Sequence, residues 1–192
     1  NAESSEKIYA AKGRPSDNPL IIHIADMESL DRIVSEIPEK AEKLAEAFWP
    51  GPLTMILKRR PIVPDVVTAG MDTVGMRCPS HPVCRAILQA AEVPVAAPSG
   101  NTSGRPSPTT AAHMAEDMEG RIDAIVDGGP CSVGVESTIV DLTETPPRLL
   151  RPGGITLEQL ESVLGRVEVD QAVTRLMSAG EKPRAPGMKY RH

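Results

Sequence analysis

The chain is poor in aromatic residues: one Trp, one Phe and two Tyr make up 2% of its 192 residues. Platforms on which nucleobases stack are therefore scarce. A basic excess is missing too. Lys and Arg number 21 against 26 Asp and Glu, for a formal charge of −5, the opposite of the basic face of a dedicated nucleic-acid binder. The local run Lys58-Arg59-Arg60 reads as a solvated strand end. Cysteine is sparse: Cys78, Cys84 and Cys131 are odd in number and lack metal-ligand spacing. Reduced thiols in a cytoplasmic protein are expected, and no metal ligand is assigned. No apolar run approaches membrane-spanning length, so no membrane partner is expected.

What the chain has is punctuation. Lys12-Gly-Arg-Pro-Ser-Asp-Asn-Pro-Leu20 places two cations and three small polar groups on a backbone set by Gly13, Pro15 and Pro19. Glycine opens angles that other residues avoid, proline fixes its own, and the residue before each proline is pushed toward extended conformations. A stiff loop follows, with Lys12 and Arg14 in fixed relation, feeding an apolar strand that carries His23. Such a loop either cradles a polyphosphate or is surface with two solvated charges. A second segment, Pro98-Ser-Gly-Asn-Thr-Ser-Gly104, follows the apolar run Val93 to Ala97. Strand followed by a Ser/Gly/Asn loop is an anion-binding arrangement, or an ordinary turn. Thr73-Val-Gly-Met-Arg77, Gly134-Val-Glu-Ser-Thr-Ile-Val140 and Leu149-Leu-Arg-Pro-Gly153 add cations and hydroxyls at further strand ends, where open α/β sheets bind ligands.

Helical and extended patterns alternate. Helices are predicted over Glu3–Ala11, Met27–Ile37 (with Asp26 as cap), Glu39–Phe48, Pro82–Ala91, Thr109–Met118 and from Thr156 to Leu164, where Gln159 stands at the capping-box position. Strands are predicted over Leu20–Ile24, Leu53–Leu57, Thr73–Arg77, a buried Val93–Ala97, Ile122–Val126, Ser137–Leu142 and Arg148–Leu150. Trp49-Pro-Gly-Pro52 breaks the pattern, and Trp49 is expected to pack in the core. This alternation predicts an α/β domain built on a twisted sheet flanked by helices.

KGRPSDNPLIIHI, FWPGPLTMIL, TVGMRCP, PVAAPSGNTSG, GVESTIVDL and LLRPGG, in this order, resemble the YrdC-type threonylcarbamoyl-adenylate synthases from about Ser5 to Leu164. The resemblance implies a mixed sheet around a positively lined cleft, and a nucleotidyltransferase that joins L-threonine, bicarbonate and ATP, with Mg2+ carried by the ATP, into threonylcarbamoyl-AMP and pyrophosphate. It also implies a downstream threonylcarbamoyl transferase complex that modifies tRNA. A weak contact with tRNA or double-stranded RNA is a further expectation. Family members carry a few dozen residues before the Lys12 loop, with a Thr-x-Thr-Val-Tyr-Gly-Leu-type segment that this sequence lacks. The basic, Pro/Gly-rich Pro183–His192 resembles the linker of the family's long form, which can lie over the cleft. Residues 1–166 are thus expected to be a catalytic domain without its N-terminal part, and 167–192 a helix and linker toward a second domain.

By the same resemblance, ATP is met by Lys12, Arg14, Asn18, Thr73, Ser99, Asn101, Ser107 and Arg151, with Lys12 and Arg14 as the catalytic residues. Threonine is met by Arg77 as carboxylate clamp and by His23, Ala97 and Ser137. On residue type alone, His23 is equally a satisfied core histidine, and Ser99 and Asn101 form a simple turn. Thr73, Ser107 and Ser137 can equally bond to backbone. Glu136 is either a base or an arginine partner. Two other classes compete: a related carbamoyl-adenylate-forming domain of hydrogenase maturation, which would bring zinc-finger-like and acylphosphatase-like segments not found here, and a non-catalytic RNA-binding module.

Overall fold

A computed structural model describes residues 1–174, 184–186 and 188. Seven strands form one mixed sheet in the order β4-β1-β3-β2-β5-β6-β7: β1 Ile21–His23, β2 Leu53–Lys58, β3 Thr73–Arg77, β4 Val95–Ala97, β5 Thr138–Asp141, β6 Arg148–Arg151 and β7 Glu168–Val169. β1 with β3, β2 with β5 and β6 with β7 are parallel; the other three neighbouring pairs are antiparallel. The α/β class and the mixed sheet are as the sequence predicts. The sheet runs past the expected domain boundary at 166, because β7 pairs with β6.

Strand side chains alternate between faces with period two. Ile22, Leu53, Met55, Leu57, Val74, Met76, Val140 and Leu149 point into the main core. There they meet α2 (Glu39–Phe48) through Ala41, Leu44 and Ala45, and α6 (Leu157–Leu164) through Leu160. α6 starts with the predicted capping box: Gln159 N donates to Thr156 Oγ1 at 3.2 Å, and Thr156 N donates to Gln159 Oε1 at 2.9 Å. The intervening strand residues face the opposite side. Ile21, Ile56, Ile139 and Leu150 form a smaller apolar patch there, with Ala172, Ala185 and Met188 over it. The expected linker thus touches that face at its described residues; the rest of 175–192 lies outside the described residues. α1 (Ala2–Lys12) ends at Gly13, whose φ of 59° turns the chain into the following loop. It is fixed by Tyr9, whose hydroxyl donates to the carbonyls of Asn18 (3.0 Å) and Val66 (2.9 Å), the latter within the short α3 (Asp65–Thr68).

Three predicted elements differ. Met27–Ile37 forms only a 3-10 helix at Glu28–Arg32. Beyond it Arg60 N donates to Ile33 O (2.7 Å), Ser35 N donates to Lys58 O (2.9 Å) and Val34 bridges Arg59, so pairing with the chain at and just past the end of β2 takes the backbone groups a helix would need. Ile122–Val126 forms no strand, and Val126 is 65% exposed. The run at Val93–Ala97 gives β4, but as a half-exposed edge strand and not a buried one. Trp49 sits at the rim of the core, partly buried, with Nε1 donating to Leu53 O at 2.8 Å.

Leu44 is wholly enclosed between α2 and the sheet. Leu44→Ala is expected to lower stability by ~2–5 kcal/mol in urea unfolding; a loss below ~1 kcal/mol would mean that α2 is not seated as described.

Candidate functional site

The second face of the sheet carries the predicted site residues. β1 and β3 run parallel with His23 opposite Arg77, so two residues far apart in sequence become neighbours. Arg77 Nε donates to Gly51 O at 3.1 Å. Ser137 precedes β5, and its hydroxyl lies 2.8 Å from Thr54 Oγ1. Arg151, at the end of β6, donates from Nε and Nη2 to Ser137 O (3.0 and 2.9 Å), from Nη2 to Ser137 Oγ (3.1 Å) and from Nη1 to Pro186 O (3.0 Å). Gly153 lets this hairpin close: a Cβ there would stand 2.3 Å from Glu136 O and 2.5 Å from Thr138 N.

The loop after α1 supplies the other cations. Arg14 clamps its own loop, Nε to Asn18 O at 3.0 Å and Nη2 to Pro19 O at 2.8 Å. Lys12 is buried, and its ammonium donates to the carbonyls of Ser99 and Asn101. It thereby fastens the first loop to the second, with Ser103 N returning a bond to Lys12 O at 2.9 Å. Burial first, then the neighbouring Arg14 charge, brings the Lys12 pKa down to about 8.

Four cations therefore share this region, and all four rest on backbone carbonyl oxygens. Among the described residues no carboxylate forms an ion pair with Lys12, Arg14, Arg77 or Arg151, whereas Arg59, Arg105, Arg148, Arg166 and Arg184 all have carboxylate partners. The four feel one another. Arg151 is lowered to about 10 by burial, opposed by Glu136 and assisted by Arg77 and Arg14. His23 is lowered to about 4, by burial and then by the Arg77 charge, so its ring is neutral at pH 7. Asn18 Oδ1, His23 Nδ1 and Asn101 Oδ1 are buried without a partner among the described residues. Buried polar atoms are nearly always bonded, so such groups call for an explanation. Unpartnered polar atoms gathered beside cations held on carbonyls suit a ligand that brings anionic groups and further hydrogen-bonding groups.

Of the remaining predicted residues, Ala97 pairs with Ile21 on the β4 edge of β1. Ser107 Oγ donates to Glu136 Oε1 at 2.8 Å, beside Arg151. Thr73 is at the other end of β3 from Arg77, roughly 13 Å along the strand, and lines a small cavity with Pro19, Gly75 and Pro186. Two contributors escape a reading of the sequence. Thr54 is a polar residue in the otherwise apolar run Leu53–Leu57, and that break in composition is its signal. Asp117, buried in α5 (Ala111–Met118), accepts from Thr102 N at 3.0 Å and pairs with Arg105, holding the second loop; nothing local distinguishes it from the neighbouring Glu116. Among the described residues no three or more His, Cys, Asp or Glu gather to hold a metal, and no helix is long and apolar enough to cross a membrane.

The profile of the Sua5/YciO/YrdC family, described as telomere recombination, matches residues 1–153. A Pyrococcus abyssi protein named threonylcarbamoyl-AMP synthase is 54% identical over 187 residues, 97% of this chain and 54% of that protein. A Bacillus subtilis protein of the same name is 53% identical over 196 residues, 100% of this chain and 55% of that protein. The crystal structure of P. abyssi Sua5 complexed with L-threonine superposes with a TM-score of 0.95 at 53% identity, covering 99% of this chain and 55% of that one. The chain thus spans about half the length of the curated relatives it matches.

Two outcomes follow from this geometry. His23 has a folded pKa of about 4 against an ordinary 6.5. Its contribution of about 3 kcal/mol is fully present above pH 6.5 and is lost as the pH falls toward 4. Urea midpoints measured from pH 7 to pH 4 should fall accordingly and fall less in His23→Gln; equal falls in both proteins would refute the assignment. Gly153→Ala should lower the thermal midpoint in a melting experiment, since the added methyl meets backbone atoms that cannot swing aside; an unchanged midpoint would refute the close approach.

Proposed function

The chain belongs to the Sua5/YciO/YrdC family, and we propose that its cleft is the synthesis site of threonylcarbamoyl-AMP, formed from L-threonine, bicarbonate and ATP. The observation that carries this reading is the set of four cations held on carbonyl oxygens beside three buried polar atoms without a partner among the described residues. A substrate pair with several anionic groups and an ammonium matches it in charge and in hydrogen-bonding sense.

In this reading Arg77 takes the threonine carboxylate. Arginine's planar fork suits carboxylates and phosphates. His23, neutral at pH 7, accepts from threonine, while Ser137 and the backbone of Ala97 complete its pocket. Arg14 and Arg151 face the ATP phosphates, with Asn18, Ser99, Asn101 and Ser107 adding hydrogen bonds and Thr73 at the far end. Lys12 acts by holding the two loops in register, and its charge adds to the field. Threonine's amine and bicarbonate give a carbamate with loss of water. A carbamate oxygen then bonds to the α-phosphorus as the bond to pyrophosphate breaks. The protein supplies no covalent nucleophile: it fixes the approach in line and stabilises charge on the phosphoryl oxygens. Mg2+ belongs to the ATP it accompanies and shares that charge. The product is passed to a tRNA-modifying transferase complex, in a cytoplasmic setting.

The test is calorimetric titration with L-threonine and MgATP, singly and together, followed by threonine- and bicarbonate-dependent pyrophosphate release. Threonine should bind more tightly in the presence of nucleotide and in preference to serine. Arg77→Ala should weaken threonine binding at least about 30-fold, the effect of breaking a buried charge-assisted pair worth ~2 kcal/mol or more, and should spare MgATP. Equal loss of both ligands would overturn the division of roles, and no binding of either would overturn the function.

A further inference from the structure

Among the described residues, Glu136 is the carboxylate whose charge acts on Arg151, and it does so from a fixed position. Its Oε1 accepts the Ser107 hydroxyl at 2.8 Å. Its backbone is pressed against Gly153, and the next residue, Ser137, receives three hydrogen bonds from the Arg151 guanidinium. Glu136 is thus anchored at side chain and main chain beside two groups assigned to the nucleotide phosphates. Asp117 acts in the same sense on Lys12, while the direct hydrogen bonds of the four cations go to neutral carbonyls and to the Ser137 hydroxyl.

We propose that Glu136 is an internal counter-anion at the phosphate end of the cleft: anchored next to the Ser137–Arg151 contact, it holds the Ser107 hydroxyl until nucleotide phosphates take that hydroxyl over, and so sets nucleotide affinity. The inference rests on the cleft being a nucleotide site. Two consequences are physical. Incoming phosphates are repelled by a fixed negative charge, so free-site affinity is held down. Ser107 must exchange one anionic acceptor for another, which keeps its hydroxyl aimed at the phosphate position in the empty site. Glu136 is a positioning and affinity-setting residue, and no bond to it forms or breaks.

The variant that tests this is Glu136→Gln, which keeps the shape and an acceptor for Ser107 while removing the charge. MgATP and inorganic pyrophosphate are titrated calorimetrically into wild type, Glu136→Gln and Glu136→Asp, at low and high salt, with adenosine as a probe lacking phosphate. Glu136→Gln should bind MgATP and pyrophosphate roughly tenfold more tightly at low salt, the scale of one removed like charge at partly buried separation. The gain should shrink at high salt, adenosine should be unaffected, and Glu136→Asp should return toward wild type. A merely structural residue would weaken binding when altered. Unchanged or weaker phosphate binding in Glu136→Gln, with wild type still binding, overturns this proposal alone. Wild type that binds neither MgATP nor pyrophosphate overturns the nucleotide reading and this proposal with it.

Discussion

Keeping four cations in one region, with no ion-paired carboxylate among the described residues, is the constraint around which this domain is arranged. Like charges in a partly buried region oppose one another, and burial adds a desolvation cost. Backbone carbonyls offset part of that cost because their dipoles solvate a cation without cancelling its charge. Those carbonyls belong to loops: Ser99 and Asn101 for Lys12, Asn18 and Pro19 for Arg14, Gly51 for Arg77, Ser137 and Pro186 for Arg151. The same bonds that stabilise the charges therefore also shape the loops. A protein of overall negative charge in this way maintains a local positive field at the ends of its strands.

Much of the fold was legible because local signals and tertiary structure agree. The capping box at Thr156, the glycine stop after Lys12 and the apolar run of β2 all act within a few residues. The helix predicted over Met27–Ile37 failed because its second half gives its backbone bonds to the chain at and just past the end of β2, and the partner of the bridge there, Arg59, is distant in sequence. The strand predicted at Ile122–Val126 had suitable residues but pairs with no strand of the sheet. Sequence pattern reports side-chain preference, whereas a strand exists only where another offers its edge.

The candidate site shows the same division. The Lys12–Asn18 loop announces itself by composition. The adjacency of His23 and Arg77 depends on a parallel register that no local motif encodes. Residue type alone presented Lys12 as a cation open to a ligand, but its reach across to Ser99 and Asn101 makes it first a tie between two loops. Asp117 was invisible for the complementary reason: its role comes from where α5 lands against the second loop.

In β3 the core and the cleft are interleaved one residue at a time, Val74 and Met76 on one side, Thr73, Gly75 and Arg77 on the other. A single inserted or deleted codon within that strand would exchange the two sets, driving an arginine into the hydrocarbon layer and a methionine onto the polar face of the candidate site. Stability and specificity are therefore inherited together in these five positions. Substitutions can explore them independently, whereas changes of length are confined to the loops between strands.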